Sequence, residues 1–473
     1  MTNLFFWAFL ILVIGGLASV LSRPEKIYEY PHFMAAVFAV FILPQAVSLL
    51  RFPGAAPEEA VRRVMGMTCL CLGACLVGYR RSRTLNQNQS RAATGAINQD
   101  KLLLAGLVFV GCGFVFSFVL ARIEVQTSEL GGWTGPATIY AFFQQLCYPG
   151  FAICFMVALR QPTSFSLAAT ILASLVPIQS VIFGRREPAA LFAMIVGLTL
   201  YFQLRLRPSC WLIATCMGLA MLAIPATATY RRYQLDQDWD AVRQVDWIGN
   251  FRDFLTGESV LELRNAAMLI EATGRSGEYE LGAGYWNHLV FRYIPAQILG
   301  PKFKEMLMIE RPREGLEREL AAMGYVNPAG STVTGMGDSF QQFGYCGCLF
   351  FAALGLGFRF LWRATAPSTA LFAQLLYMQS CTSAMRAVTH WTLDFLPGFL
   401  YSVIFLGLAA WYARPTSKFD MSIPTTAYRR GRRPSPKRPP APAHPPHFPS
   451  ALATMKISIA PPKPPPNRRY SSE

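Results

Sequence analysis

Thr334-Gly-Met-Gly-Asp-Ser-Phe-Gln-Gln-Phe-Gly-Tyr-Cys-Gly347 closes a charge-rich segment, residues 230–347, set between long apolar blocks. The segment mixes Arg231, Arg232, Asp236, Asp238, Arg243, Asp246, Glu258, Arg264, Arg292, Lys302, Lys304, Arg311 and Arg313 with aromatic residues. The blocks on either side are apolar over the length a bilayer span requires, about 20 residues. This contrast makes the fold class all-α: a polytopic transmembrane helix bundle with one large water-compatible loop.

Composition points the same way. Of 473 residues 53% are hydrophobic and only 15% charged, which places the chain among membrane proteins rather than multidomain soluble ones. The formal charge is +16, but its Lys and Arg stand in short clusters between apolar blocks and in the last stretch of the chain. That is the distribution of topology signals, not of a nucleic-acid groove. The cysteines lie largely inside apolar blocks, without a Cys-x-x-Cys pair or an accompanying His, and read as small core residues; no metal or cofactor is expected.

Eleven spans are expected, at residues 4–21, 33–50, 64–79, 102–121, 139–159, 165–183, 188–204, 210–227, 336–361, 369–385 and 395–411. They divide the chain into an N-terminal membrane part (1–227), the large loop (228–335), a C-terminal membrane part (336–413) and a basic, proline-rich tail (414–473) expected to be disordered and cytoplasmic. The Arg80-Arg81-Ser-Arg83 linker puts the end of the third span inside. Counting outward leaves the N-terminus and the large loop on the extracytoplasmic side. Within the loop, residues 247–270 have helical apolar spacing and suggest amphipathic helices on the membrane surface. Residues 314–322 form a second helical candidate. Gly282-Ala-Gly-Tyr-Trp286 and residues 293–301 read as irregular backbone.

The candidate chemistry collects at the outer interface, because no span carries a charge near its middle. Arg185, Arg186 and Arg386 stand on that face against the topology rule. They read either as contacts to lipid headgroups or ion pairs, with Glu187 and Asp394 as adjacent acids, or as an anion site. Asp338 and Gln342 are four apart where the ninth span begins, with Asp338 in the first turn, where the helix dipole favours a carboxylate. Simple capping is the alternative there. Arg386 and His390 are likewise four apart, with Asp394 following; Arg suits phosphate oxygens and His suits general-base work near neutral pH. Arg292 and Lys302 add a cationic edge. Together these are the groups that transfer from a lipid pyrophosphate requires.

The order of features resembles the O-antigen polymerase and oligosaccharide repeat-unit polymerase family. The resemblance rests on Gly184-Arg185-Arg186 between two mid-chain spans, Ile294-Pro295-Ala-Gln-Ile-Leu-Gly-Pro301-Lys302 in the large loop, and Asp338-Ser-Phe340-Gln-Gln342-Phe343-Gly344-Tyr-Cys-Gly347. Asp338 stands where the family pattern has Glu, Gln342 where it has Asn, and Gln297 where an Arg often follows the proline. The resemblance implies a metal-independent glycosyltransferase of the bacterial plasma membrane that moves a glycan from polyprenyl pyrophosphate to a sugar hydroxyl on an incoming lipid-linked unit. In that scheme Arg185, Arg186 and Arg386 bind diphosphate, His390 or Asp338 takes the acceptor proton, and Arg292, Lys302 and Gln342 hold glycan or lipid. Partners would be the lipid-linked glycans, the bilayer and a chain-length regulator or other assembly protein. An O-antigen ligase, a lipid-glycan transporter, which would need inverted repeats and broken helices that the sequence does not show, and an assembly partner recruited through the tail remain alternatives.

Overall fold

The computed structural model describes residues 2–81, 97–124, 135–236, 238–257, 261–328, 331–367 and 369–415. Most of the basic linker and nearly all of the expected proline-rich tail lie outside them. Among the described residues every regular element is a helix.

Among the described residues ten helices are long and apolar enough to cross a membrane, compatible with a multi-pass membrane protein. They are Thr2–Ser22 (α1), Tyr30–Arg51 (α2), Glu58–Arg80 (α3), Gln99–Leu120 (α4), Pro136–Arg160 (α5), Ser164–Ile182 (α6), Arg186–Leu204 (α7), Cys210–Thr227 (α8), Thr334–Ala364 and Thr392–Tyr412. Leu4, Ile11, Val108, Trp211 and Leu219 expose more than half of their surface. In water such a belt would cost about 25 cal/mol per Å²; against lipid tails it costs nothing.

Eleven spans were expected, and residues 369–385 account for the difference. They fall in Leu371–Thr389, a 19-residue helix too polar to qualify by composition, with Gln374, Gln379, Ser380, Thr382 and Ser383 all buried. Some of its polar groups bond to nearby carbonyls, as where Ser380 Oγ donates to Leu376 O at 2.7 Å and Gln374 Nε2 to Thr365 O at 3.2 Å. A helix enclosed by its neighbours needs no apolar outer face.

Close backbone contacts hold the centre. A Cβ on Gly78 of α3 would collide with the carbonyl of Ala352, and one on Gly355 would lie 2.5 Å from Cys75 O. Nearby, the buried Tyr30 ring stacks on Phe358 at 4.3 Å between centroids. The expected span at 336–361 is not continuous. It is two helices, Thr334–Phe343 and Cys348–Ala364, joined by a 3-10 turn at Gly344–Gly347. Gly344 has φ 59° and ψ −144°, which an L side chain resists, and a Cβ on Gly347 would meet the Ser339 carbonyl.

The loop differs from its expected form in two places. Trp247–Thr256 and Glu262–Ser276 are helices, and so is Glu314–Ala322. Glu262–Ser276, however, is no surface helix: Leu263, Ala266, Ala267, Met268 and Ile270 are all buried in the main core. Gln45 of α2 accepts from its Leu263 N at 2.8 Å, and Gly337 lets Ala266 approach to 3.0 Å of a would-be Cβ. The second difference is in the stretches expected to be irregular: Gly282-Ala-Gly-Tyr-Trp286 opens the helix Ala283–Tyr293, and residues 293–301 contain the short helix Ala296–Leu299.

Candidate functional site

The helix Ala283–Tyr293 forms because its two glycines fit places a side chain could not. Gly282 takes φ 92° at the N-cap, and a Cβ on Gly284 would lie 2.5 Å from Glu280 Oε2. Asn287 clips the helix to the following segment, donating to Ile309 O at 2.7 Å and accepting from Ile309 N at 2.8 Å. Pro295 follows its end. His288 and Arg292, four residues apart, therefore share one face.

That face meets the turn Thr392–Asp394. His288 Nε2 is 2.9 Å from Asp394 Oδ1, and Arg386 donates from its terminal nitrogen to Asp394 Oδ2, also at 2.9 Å. Arg386 Nε in turn lies 3.4 Å from Glu187 Oε1 in the first turn of α7. Arg386 is thus held between two carboxylates, the ion-pair alternative of the sequence reading, and its charge is already balanced. Arg292 has no carboxylate within ion-pair distance among the described residues; it donates to Gln145 Oε1 at 2.8 Å, where α5 is interrupted, and lies over the Phe142 ring. Burial and the neighbouring Arg386 charge pull its guanidinium below the ordinary value.

His390 ends Leu371–Thr389, with Nδ1 2.8 Å from Thr389 Oγ1. Burial, reinforced by the Arg386 charge, pushes its imidazole down to about 4. It is neutral at pH 7 but a weak base, which moves the general-base role away from His390. Arg186 opens α7 on the same side, close enough to His390 to act on its charge. Arg185 is the N-cap of α7 and is exposed.

Asp338 and Gln342 occupy an adjoining, drier cluster. Asp338 is the fifth residue of its helix rather than in the first turn, so neither the dipole nor the capping expectation describes it. Its carboxylate accepts instead from Thr392 Oγ1 and from Leu393 N, the latter at 3.1 Å, and so ties the Asp394 turn down. Tyr285 bonds the same Thr392 hydroxyl at 2.8 Å. Gln342 donates to Glu280 Oε2 at 2.7 Å and Gln341 to Oε1 at 3.0 Å, with Arg311 and Arg313 beyond at 3.5 and 3.8 Å. Gln342 is fully buried, with its amide nitrogen engaged there.

Of the residues named from sequence, Arg186, Arg292, Arg386 and His390 come together. Asp338 stands behind them, joined through Thr392, and Gln342 lies farther back on Glu280. Lys302 is exposed on the short helix Pro301–Met306, and nothing among the described residues ties it to the cluster. His288 and Glu280 were missed. The signal for His288 was its four-residue spacing from Arg292, which the irregular reading of the flanking residues 282–286 and 293–301 concealed. No group of three or more His, Cys, Asp or Glu is arranged to hold a metal among the described residues. Comparisons with family models, curated proteins and solved structures found no match.

Proposed function

We propose that this chain is a membrane glycosyltransferase that polymerises polyprenyl-pyrophosphate-linked oligosaccharide units at the extracytoplasmic face of a bacterial plasma membrane. The observation that carries the reading is the His288–Asp394 pair, with Arg292 one helical turn from His288 and Arg186 nearby. A carboxylate that accepts one imidazole N–H fixes the tautomer and leaves the other nitrogen to take a proton. His288 removes the proton from an acceptor sugar hydroxyl. The hydroxyl oxygen bonds to the anomeric carbon of the donor, and the bond from that carbon to the diphosphate oxygen breaks. The leaving diphosphate keeps the electron pair, and Arg186 and Arg292 stabilise it, guanidinium forks matching phosphate oxygens. Arg386 positions Asp394 rather than contacting substrate.

The test is the lipid-linked glycan profile of cells lacking the protein, complemented with wild type or with His288→Gln. A ladder that collapses to one repeat unit in the deletion and with His288→Gln, restored by wild type, supports polymerisation. Long lipid-linked chains that accumulate indicate ligation to another acceptor.

A second reading, movement of a lipid-linked glycan across the membrane, draws on the broken helix at Gly344–Gly347 and the interrupted α5. An unchanged length distribution with lipid-linked units trapped on the inner leaflet would favour it.

A further inference from the structure

We propose that the end of the bundle opposite the His288–Asp394 cluster carries a binding site for a phosphate-bearing anion, built on Arg160 and Arg205. α7 starts at Arg186 beside that cluster and ends at Leu204. Its 19 residues set the two ends about 28 Å apart. At the far end a cavity of about 360 Å³ opens among the last turns of α5 and α7, the start of α4 and Thr369. Arg160, Arg205, Gln99, Gln203 and Thr369 line it, and among the described residues no Asp or Glu does.

The two guanidiniums come from different helices and are placed by different means. Arg160 Nε donates to Gln203 Oε1 at 2.7 Å, Gln203 Nε2 to Gln374 Oε1 at 2.9 Å, and Gln374 Nε2 to Thr365 O. This relay fixes the plane of the Arg160 fork from behind. Arg205 ends α7 in the left-handed region, with φ 56° and ψ 28°, and its guanidinium carbon lies 5.9 Å from the Tyr201 ring centroid. Non-glycine residues held in that region concentrate at ligand sites. Two planar forks, amide donors and a hydroxyl around a cavity with no acid among its described lining residues are the chemistry that recognises phosphate oxygens. At a membrane surface the phosphate belongs either to an anionic lipid headgroup or to a soluble phosphate compound; basic pockets between spanning helices bind the former.

The experiment is native mass spectrometry of the full chain, purified in detergent and stripped of lipid. It is then titrated with phosphatidylglycerol, phosphatidylcholine or inorganic pyrophosphate. Wild type is expected to retain phosphatidylglycerol or pyrophosphate in preference to phosphatidylcholine. Phosphatidylglycerol alone identifies a headgroup site, and pyrophosphate competing with it identifies a soluble ligand. Arg205→Gln should weaken that binding about tenfold. Thr369→Glu, which puts a carboxylate into the cavity, should do the same with the melting temperature of the wild type. Arg207→Gln removes an equal charge at the same end outside the cavity, and should leave binding intact. Equal binding of phosphatidylcholine without pyrophosphate binding overturns the proposal. So does an effect of Arg207→Gln as large as that of Arg205→Gln, or loss on Arg292→Gln alone, which would assign the anion to the other end.

Discussion

His288 and Asp394 are 106 residues apart in sequence and 2.9 Å apart in the fold. The helix Ala283–Tyr293 brings the imidazole, and the short turn after Leu371–Thr389 brings the carboxylate. Neither element is informative alone. Their meeting makes an oriented base beside the Arg292 guanidinium.

Replacing His288 by Gln should lower the rate of chain extension in membranes by about 10²- to 10⁴-fold, the usual contribution of a positioned base. Asp394→Asn should lose less, because an amide oxygen can still accept the imidazole N–H and orient the ring. Rates of the two variants across pH 5–9 check this, and a wild-type rate in His288→Gln removes His288 from the reaction.

Arg386 and Arg292 should separate cleanly. Arg386→Gln strands Glu187 and Asp394 without their cation and should lower thermal stability by about 3 kcal/mol, as loss of one partner from a buried pair does. Arg292→Gln leaves no carboxylate unpaired; it should keep the wild-type melting temperature and raise KM for the lipid-linked donor. Scanning fluorimetry in detergent and donor titration read the two effects.

His390 links stability to pH. Its imidazole falls from 6.5 to about 4 on folding, so between those values the unfolded chain holds the extra proton. The folded state is then destabilised as pH drops through that window, by roughly 1–3 kcal/mol at its lower end. His390→Asn should flatten the melting temperature between pH 4 and 6.5, relative to wild type, with little change at pH 7.5. Parallel slopes in the two proteins would remove His390 as the cause.

Glu280 anchors the broken helix to the loop. Glu280→Ala would leave two amide donors and the charges of Arg311 and Arg313 without their acceptor in a buried site. A cost of about 3–5 kcal/mol is expected. Asp240→Ala, which breaks an ion pair whose side chains are 83% and 88% exposed, should change the melting temperature hardly at all. The two variants compared by thermal unfolding test this.

The contact of α3 with Cys348–Ala364 should tolerate no added bulk. Gly355→Val would force its side chain into the Cys75 carbonyl region and part the two helices, so the variant should lose its monodisperse peak on size exclusion. Gly357→Val, at a position with nothing within 4 Å, should elute as wild type.

Hydropathy sums along the chain without reference to partners, so ten of the spans were legible in the sequence. So was Glu314–Ala322, between Pro312 and Gly324. Leu371–Thr389 was also found as a helix, but its enclosure, which lets Gln374 and Ser380 replace apolar residues, depends on what surrounds it. The burial of Glu262–Ser276 and the break at Gly344 were decided the same way, by close backbone contacts at Gly337 and Gly347 and by the left-handed φ of Gly344. The candidate site is the extreme case. Arg386, His390 and Arg292 could be named from residue type and spacing, but whether each is a ligand, a base or an ion-pair partner turns on distances between side chains a hundred residues apart. Local pattern carries the energy of forming helices; packing alone sets which charges they bring within 3 Å of each other.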